Sequence, residues 1–302
     1  MAVEEIARPA PEDPEAIVAR EDRERSRAVV AAVLAALVLL LPAIYGLVFL
    51  ADTLKSHRAQ LLFQDEHGTE LVVLTALIGL GALATGATLL FLYRATKSRH
   101  AALPRAARVC AIAGPVLVLA AGIAAQVVLS SKAHDFATSG SQTDAVAKEV
   151  LRSGAVQIPQ LASFAGRLVT AFAFVLISLN AMRVGLLTRF MGVLGIIAGV
   201  LFVIPLGSPL PIVQSFWFGA LALLFAGRWP NGMPPAWVSG EAVPWPSQQE
   251  LRERREREKG PAGSAPEPER EPGRDGDPEP AAVTAGGTAH SASKKRKRKR
   301  RR

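Results

Sequence analysis

Long apolar runs free of charge recur along this 302-residue chain and are separated by short loops that carry arginine. A helix that crosses a hydrocarbon core about 30 Å thick needs roughly 20 such residues at about 1.5 Å each. Lipid offers the backbone no partner, so the segment must satisfy its own N–H and C=O groups as a helix. The pattern therefore predicts an all-α fold, a polytopic membrane helix bundle. Six transmembrane helices are expected, at 28–51, 71–93, 109–129, 163–187, 190–206 and 210–227. The first three hold no charged residue. The fourth holds Arg167 near one end and Asn180 and Arg183 near the other, where long side chains reach back to the headgroups. The last two are short and are joined by the proline-punctuated turn 205–211. A re-entrant hairpin shielded by protein is the alternative for that pair, and either arrangement returns the chain to the side it left.

Orientation follows the Lys/Arg bias of short loops. Arg20, Arg23, Arg25 and Arg27 precede the first run, and Arg94, Lys97, Arg99, Arg105 and Arg108 lie between the second and third, which places both loops inside. Only Lys55 and Arg58 lie between the first and second runs, and the turn between the fifth and sixth has no charge, so these face outward. Six spans with both termini cytoplasmic is the arrangement that satisfies this bias. A cleaved signal peptide does not fit. The first 27 residues mix acids with bases and include Pro9, Pro11 and Pro14, and the apolar run that follows exceeds an h-region of about 7–15 residues. The single cysteine, Cys110, excludes an intramolecular disulfide and reads as a small buried apolar residue.

Outside the membrane domain, 28–228, the chain lacks the apolar residues to offset the entropy of ordering a core. Residues 1–27 read as a cytoplasmic tail. In 229–259, Trp229, Trp237 and Trp245 recur beside prolines, as expected of a headgroup belt. The charged stretch SQQELRERREREK that follows reads as a Ser-capped helix. From 260 onward Pro, Glu, Gly and Ala form a disordered linker. It ends in a polybasic run: Lys294, Lys295, Arg296, Lys297, Arg298, Lys299, Arg300, Arg301 and Arg302. These nine account for the whole formal charge of +9, since the other 26 Lys/Arg match the 26 Asp/Glu. The linker reaches about 30 Å if flexible, far enough for the run to return to its own membrane. Anionic lipid headgroups are one partner such a run fits, at about 1 kcal/mol per residue near the surface. RNA or another polyanion is a second, because counterion release rewards any phosphate backbone. A nuclear localisation signal matches formally but suits a multi-span protein poorly.

Polar residues inside the spans are where chemistry would show. The candidates are few: Gln126 in the third, Thr170, Ser178 and Asn180 in the fourth, Gln214 and Ser215 in the sixth. At 100° per residue, Arg167, Thr170, Ala171, Phe174, Ser178, Ala181 and Gly185 share one face of the fourth span. Two readings follow. Arg167, Thr170 and Ser178 line a polar pathway with Arg167 as its mouth, or the stripe is a packing seam of small residues. Gly195 and Gly199 form a GxxxG, and Ala82 and Gly86 repeat the spacing; such faces bring helices close and are also compatible with a homo-oligomer. No span contains Asp, Glu or His, which speaks against paired carboxylates, a helical zinc site or a buried Ser/His dyad. His57, Asp65, Glu66, His67, His134 and Asp135 gather in two outer loops, but their spacing fits no standard metal site. In the second of those loops, TDAVAKEVLRSGAVQI (143–158) has the apolar spacing of a short amphipathic helix, weakened at Ser153 and Gly154.

The stretch NAMRVGLLTRFMGVLGIIAG from Asn180, with FWFGALALLFAGRWPNGMPPAW ending at Trp237, resembles the C-terminal half of uncharacterised six-helix integral membrane proteins of high-G+C bacteria. The resemblance covers about a fifth of the chain. It implies the six-helix topology and a bacterial inner membrane and carries no site residues. The expectation is a non-catalytic integral membrane protein, with no catalytic, cofactor-binding or metal residues, whose polybasic run contacts anionic lipid or nucleic acid. The alternative is a small-solute permease or channel lined by the fourth span.

Overall fold

The computed structural model describes residues 13–42, 44, 45, 56–138, 141–203, 211–230, 232–246 and 248–258, and every regular element among them is helical. In chain order these are α1 (Pro14–Val38), α2 (His57–Glu66), α3 (Gly68–Arg99), α4 (Arg105–Thr138), α5 (Asp144–Arg152), α6 (Gly154–Arg183), α7 (Arg189–Leu201), α8 (Ile212–Phe225), α9 (Pro235–Ser239) and α10 (Gln248–Glu258). Three of them, α3, α4 and α6, are long and apolar enough to cross a membrane. They are longer than the expected spans because each continues past the apolar window into polar sequence at one end or both. The fifth and sixth apolar runs form the shorter helices α7 and α8, of 13 and 14 residues, or about 20 Å of rise each. The end of the first expected span, most of the 205–211 turn, the linker from 260 and the run Lys294 to Arg302 lie outside the described residues.

Six helices pack in a closed cyclic order, α1 on α3, α3 on α4, α4 on α6, α6 on α7, α7 on α8 and α8 back on α1. Glycine sets the spacing at the tightest crossing. A Cβ on Gly114 of α4 would stand 2.7 Å from the Thr170 backbone N, and one on Gly166 of α6 would stand 2.8 Å from that of Val118. Pro115 lacks an N–H and leaves the Ala111 carbonyl of α4 without its helical donor. Gly86 of α3 packs against that carbonyl.

The boundary expected at residue 27 is not a structural one. α1 is capped by Asp13, whose side chain accepts from the Glu15 N–H at 3.1 Å, with Pro14 at the first helical position. It then runs unbroken from the charged segment into the apolar one. Ile17, Glu21, Ala28, Ala32 and Ala35 are its buried residues, at spacings that keep them on one face. Hydropathy alone hid this stripe because Arg and Glu occupy the positions around it.

The segment after α8 also departs from expectation. Trp237 is 2% exposed and belongs to the core, not to a headgroup belt. Its indole N–H donates to the Leu186 carbonyl at 2.8 Å, and that of Trp245 to Leu187 at 2.7 Å. The backbone N–H of Val243 donates to Val184 at 3.1 Å. The segment thus wraps the α6–α7 turn, where Gly185 has φ 80° and any side chain would collide with the Val243 carbonyl.

At the opposite end, the two expected outer loops are largely helical. Ser56 caps α2 and Thr143 caps α5 through their hydroxyls. The amphipathic stretch 143–158 breaks at Ser153, so its first part is α5 and its remainder opens α6. Leu61, Leu129, Ala133, Phe136, Ala147 and Val156 join in a small core of their own. In the second unit, which begins at Gln248, α10 is a charged helix in which the Gln249 amide donates to Glu253 at 3.3 Å.

Candidate functional site

Arg167 lies near the middle of α6, about 24 Å along the axis from Arg183. Among the described residues neither an acid nor a hydrogen-bonding group engages it. Two cavities share Arg167, Ile78 and Val118 as a common wall. The first, of about 360 Å³, opens among Thr75, Gln126, Gln160 and Ser163. The second, of about 270 Å³, lies within the ring, and each of the six helices, or the residues just past it, lines part of it. Leu39, Ile78, Leu201 and Phe202 supply apolar wall, while Thr85, Thr170 and Gln214 supply polar groups.

These polar groups differ in what they already bind. Thr170 back-bonds to the Gly166 carbonyl at 2.8 Å, as Thr88 does to Ala84 and Thr96 to Leu92. Thr85 breaks the pattern. It is 1% exposed, and its Oγ1 has no hydrogen-bond partner. Gln214 is also buried and borders the same cavity. In the first cavity the Gln126 amide donates to Gln64 Oε1 at 3.2 Å and Ser130 Oγ at 3.3 Å.

The stripe expected on α6 therefore divides. Arg167 and Thr170 border the central cavity, with Thr170 also pressed against Gly114 of α4. Ser178 faces α7, where a Cβ on Gly195 would stand 2.9 Å from its own Cβ. The Ser178 hydroxyl is fully buried without a partner. Packing claims this residue, and Ser178→Ala should leave the unfolding midpoint unchanged or raise it slightly. Removing an unsatisfied buried hydroxyl releases a desolvation cost of about 1 kcal/mol or more. Below Thr170 the ring is filled by Phe174, Ile177, Trp217 and Phe218, all fully buried; the Phe174 and Trp217 rings meet at a 43° tilt with centroids 4.4 Å apart.

The glycine faces are occupied within the chain. Gly195 meets Ser178, Gly199 meets Val175 and Phe174, and Gly86 meets α4. Of the outer His and acid groups, Asp65, Glu66, His67 and His134 border one pocket of about 460 Å³ together with Glu70. His134 Nδ1 lies 2.9 Å from Asp65 Oδ1, and His67 stacks on Phe63. Among the described residues no three His, Cys, Asp or Glu side chains gather as metal ligands would. Thr85 was not legible from sequence, since a threonine in an apolar helix normally satisfies itself on the preceding turn. Gln214 was visible as a rare amide in an apolar run.

No protein family matches this chain, and no curated protein or solved structure is significantly similar to it.

Proposed function

We propose that the protein is a non-catalytic, six-span integral membrane protein of the bacterial plasma membrane, with both ends cytoplasmic. In this reading the ring is a scaffold from which the run Lys294 to Arg302 contacts anionic lipid, with RNA as the competing polyanion. The observation that carries it is the clasp at the arginine-rich end. α1 and the segment leading toward the basic run are fastened together there through Glu21, Arg99 and Ala236. The positive-inside bias puts that end in the cytoplasm. The likeness of 180–237 to six-helix proteins of high-G+C bacteria supports the same topology.

The test is binding of full-length protein and a form lacking 294–302, both in neutral lipid, to anionic vesicles and separately to RNA across a salt series. Vesicle binding should fall steeply with salt and vanish with the deletion. Tail-dependent binding to RNA alone would replace lipid as the partner, and no binding to either would remove the run from the function.

A second reading, a small-solute permease lined by α6, is favoured by the central cavity at Arg167. The filled space below Thr170 makes that cavity a chamber open toward one end rather than a continuous channel.

A further inference from the structure

We propose that the two cavities meeting at Arg167 form one binding site for an anionic amphiphile: a carboxylate or phosphate group on Arg167, with its apolar substituent in the centre of the ring. Charge is the first argument. Arg167 stands in the apolar stretch of α6, borders both cavities, is exposed rather than covered by protein, and has no acid opposite it; a cation in a membrane-spanning segment draws an anion or water to compensate it. Its planar donors suit a carboxylate or phosphate in bidentate fashion.

The chemistry of the walls gives the rest of the ligand. Side chains lean toward the N-terminus of their helix, so Arg167 leans toward the cavity that holds Gln126, Gln160 and Ser163. Gln160 and Ser163 add polar groups on that side, while both amide hydrogens of Gln126 are already given to Gln64 and Ser130. On the other side of Arg167, the central cavity is walled by Leu39, Ile78, Leu201 and Phe202, which suits hydrocarbon and not a solvated ion. Thr85, on α3 beside this cavity, keeps an enclosed and unpartnered hydroxyl, although the i−4 carbonyl that satisfies Thr88, Thr96 and Thr170 is available to a helical threonine; closed off by protein, it adds no contact to the ligand. Volumes of about 360 and 270 Å³ on either side of Arg167 fall near the usual range for small-molecule sites, about 300–1,000 Å³.

The same chemistry is offered by a membrane phospholipid and by a free single-chain acid. The site holds whether the ring moves its ligand or only keeps it, so it does not depend on transport or on the basic run. The test is native mass spectrometry of the full-length protein from phosphatidylcholine nanodiscs, with dodecanoate as the probe. One dodecanoate per chain is expected. Dodecanol and acetate, which lack the charge or the tail, should each bind about tenfold more weakly or worse. Arg167→Gln should weaken dodecanoate about tenfold or more. It removes no hydrogen bond or ion pair, so the variant should fold, and an unshifted unfolding midpoint checks this. Competition by phosphatidylglycerol at one per chain assigns the source to the membrane; its failure to compete assigns it to a free acid. Equal binding of dodecanol and dodecanoate, or full dodecanoate affinity in Arg167→Gln, overturns the proposal.

Discussion

Replacing Glu21 with alanine is expected to destabilise the protein by about 3–5 kcal/mol, the usual loss when one partner of a buried ion pair is removed. Arg99 is the reason. Its side chain is 0% exposed and that of Glu21 5%. The pair is bidentate, Nη1 to Oε1 at 2.5 Å and Nη2 to Oε2 at 3.0 Å. The guanidinium also donates from Nε and Nη2 to the Ala236 carbonyl, at 3.1 and 2.8 Å, and lies over the Trp237 ring at 5.7 Å. Without Glu21 that charge is left buried and uncompensated. The neighbouring pair Arg94–Glu24 joins the same two helices at 3.0 Å but is 57% and 37% exposed. Glu24→Ala should therefore cost at most about 1 kcal/mol. Denaturant titration in mild detergent measures both. The Glu21→Ala loss should have a local signature as well. Trypsin should cut faster after Arg20, Arg23, Arg25 and Arg27, and the summed emission of the four tryptophans should shift to the red as the surroundings of Trp237 admit water. Equal effects from Glu21→Ala and Glu24→Ala would show that burial does not set the strength of this clasp.

That clasp marks the limit of what the amino-acid order discloses. The apolar runs were legible because hydropathy is additive along the chain, and α3, α4 and α6 appear where it peaks. Arg99 was legible only as one of several loop cations. Its partner lies 78 residues away in a segment whose composition resembles a solvated tail, and nothing local links the two. Trp237 failed for the related reason that a tryptophan beside prolines near a membrane has two homes, the headgroup belt and the core. The choice depends on whether a free carbonyl such as that of Leu186 is within reach. The polar residues of α6 that share a face in projection do not share one surface. α4, α7 and a cavity share that face, so Thr170 and Ser178, two turns apart, meet different neighbours. Arg167 was found by charge alone, whereas Thr85 depended on a hydrogen bond that is not made.

Adding a single methyl group at Gly166 or Gly114 should cost about 1–3 kcal/mol, and leucine at either position should prevent the ring from closing. The two glycines face each other where α4 crosses α6. A Cβ on Gly114 would lie 3.0 Å from the Gly166 carbonyl oxygen, and one on Gly166 would lie 3.0 Å from that of Gly114. Both would also stand within 2.8 Å of a backbone nitrogen across the interface. Backbone cannot rotate out of the way as the end of a side chain can, so the helices themselves must separate. Separation would weaken the packing on which helix association in lipid rests. It would also open the wall between Arg167 and Val118, so dodecanoate binding should fall together with stability. Gly219 supplies the contrast, because nothing lies within 4 Å of its added Cβ. Gly219→Ala should be neutral or stabilising by up to about 1 kcal/mol through helix propensity alone. Gly122 supplies another, with its nearest neighbours at 3.7 and 3.8 Å. It borders the Gln126 cavity, and Gly122→Ala should be accommodated there. Unfolding midpoints for the four alanine variants would rank them. If Gly166→Ala and Gly114→Ala fall no further than Gly219→Ala, the α4–α6 crossing is looser than these distances state, and the cavities beside it lose their fixed wall.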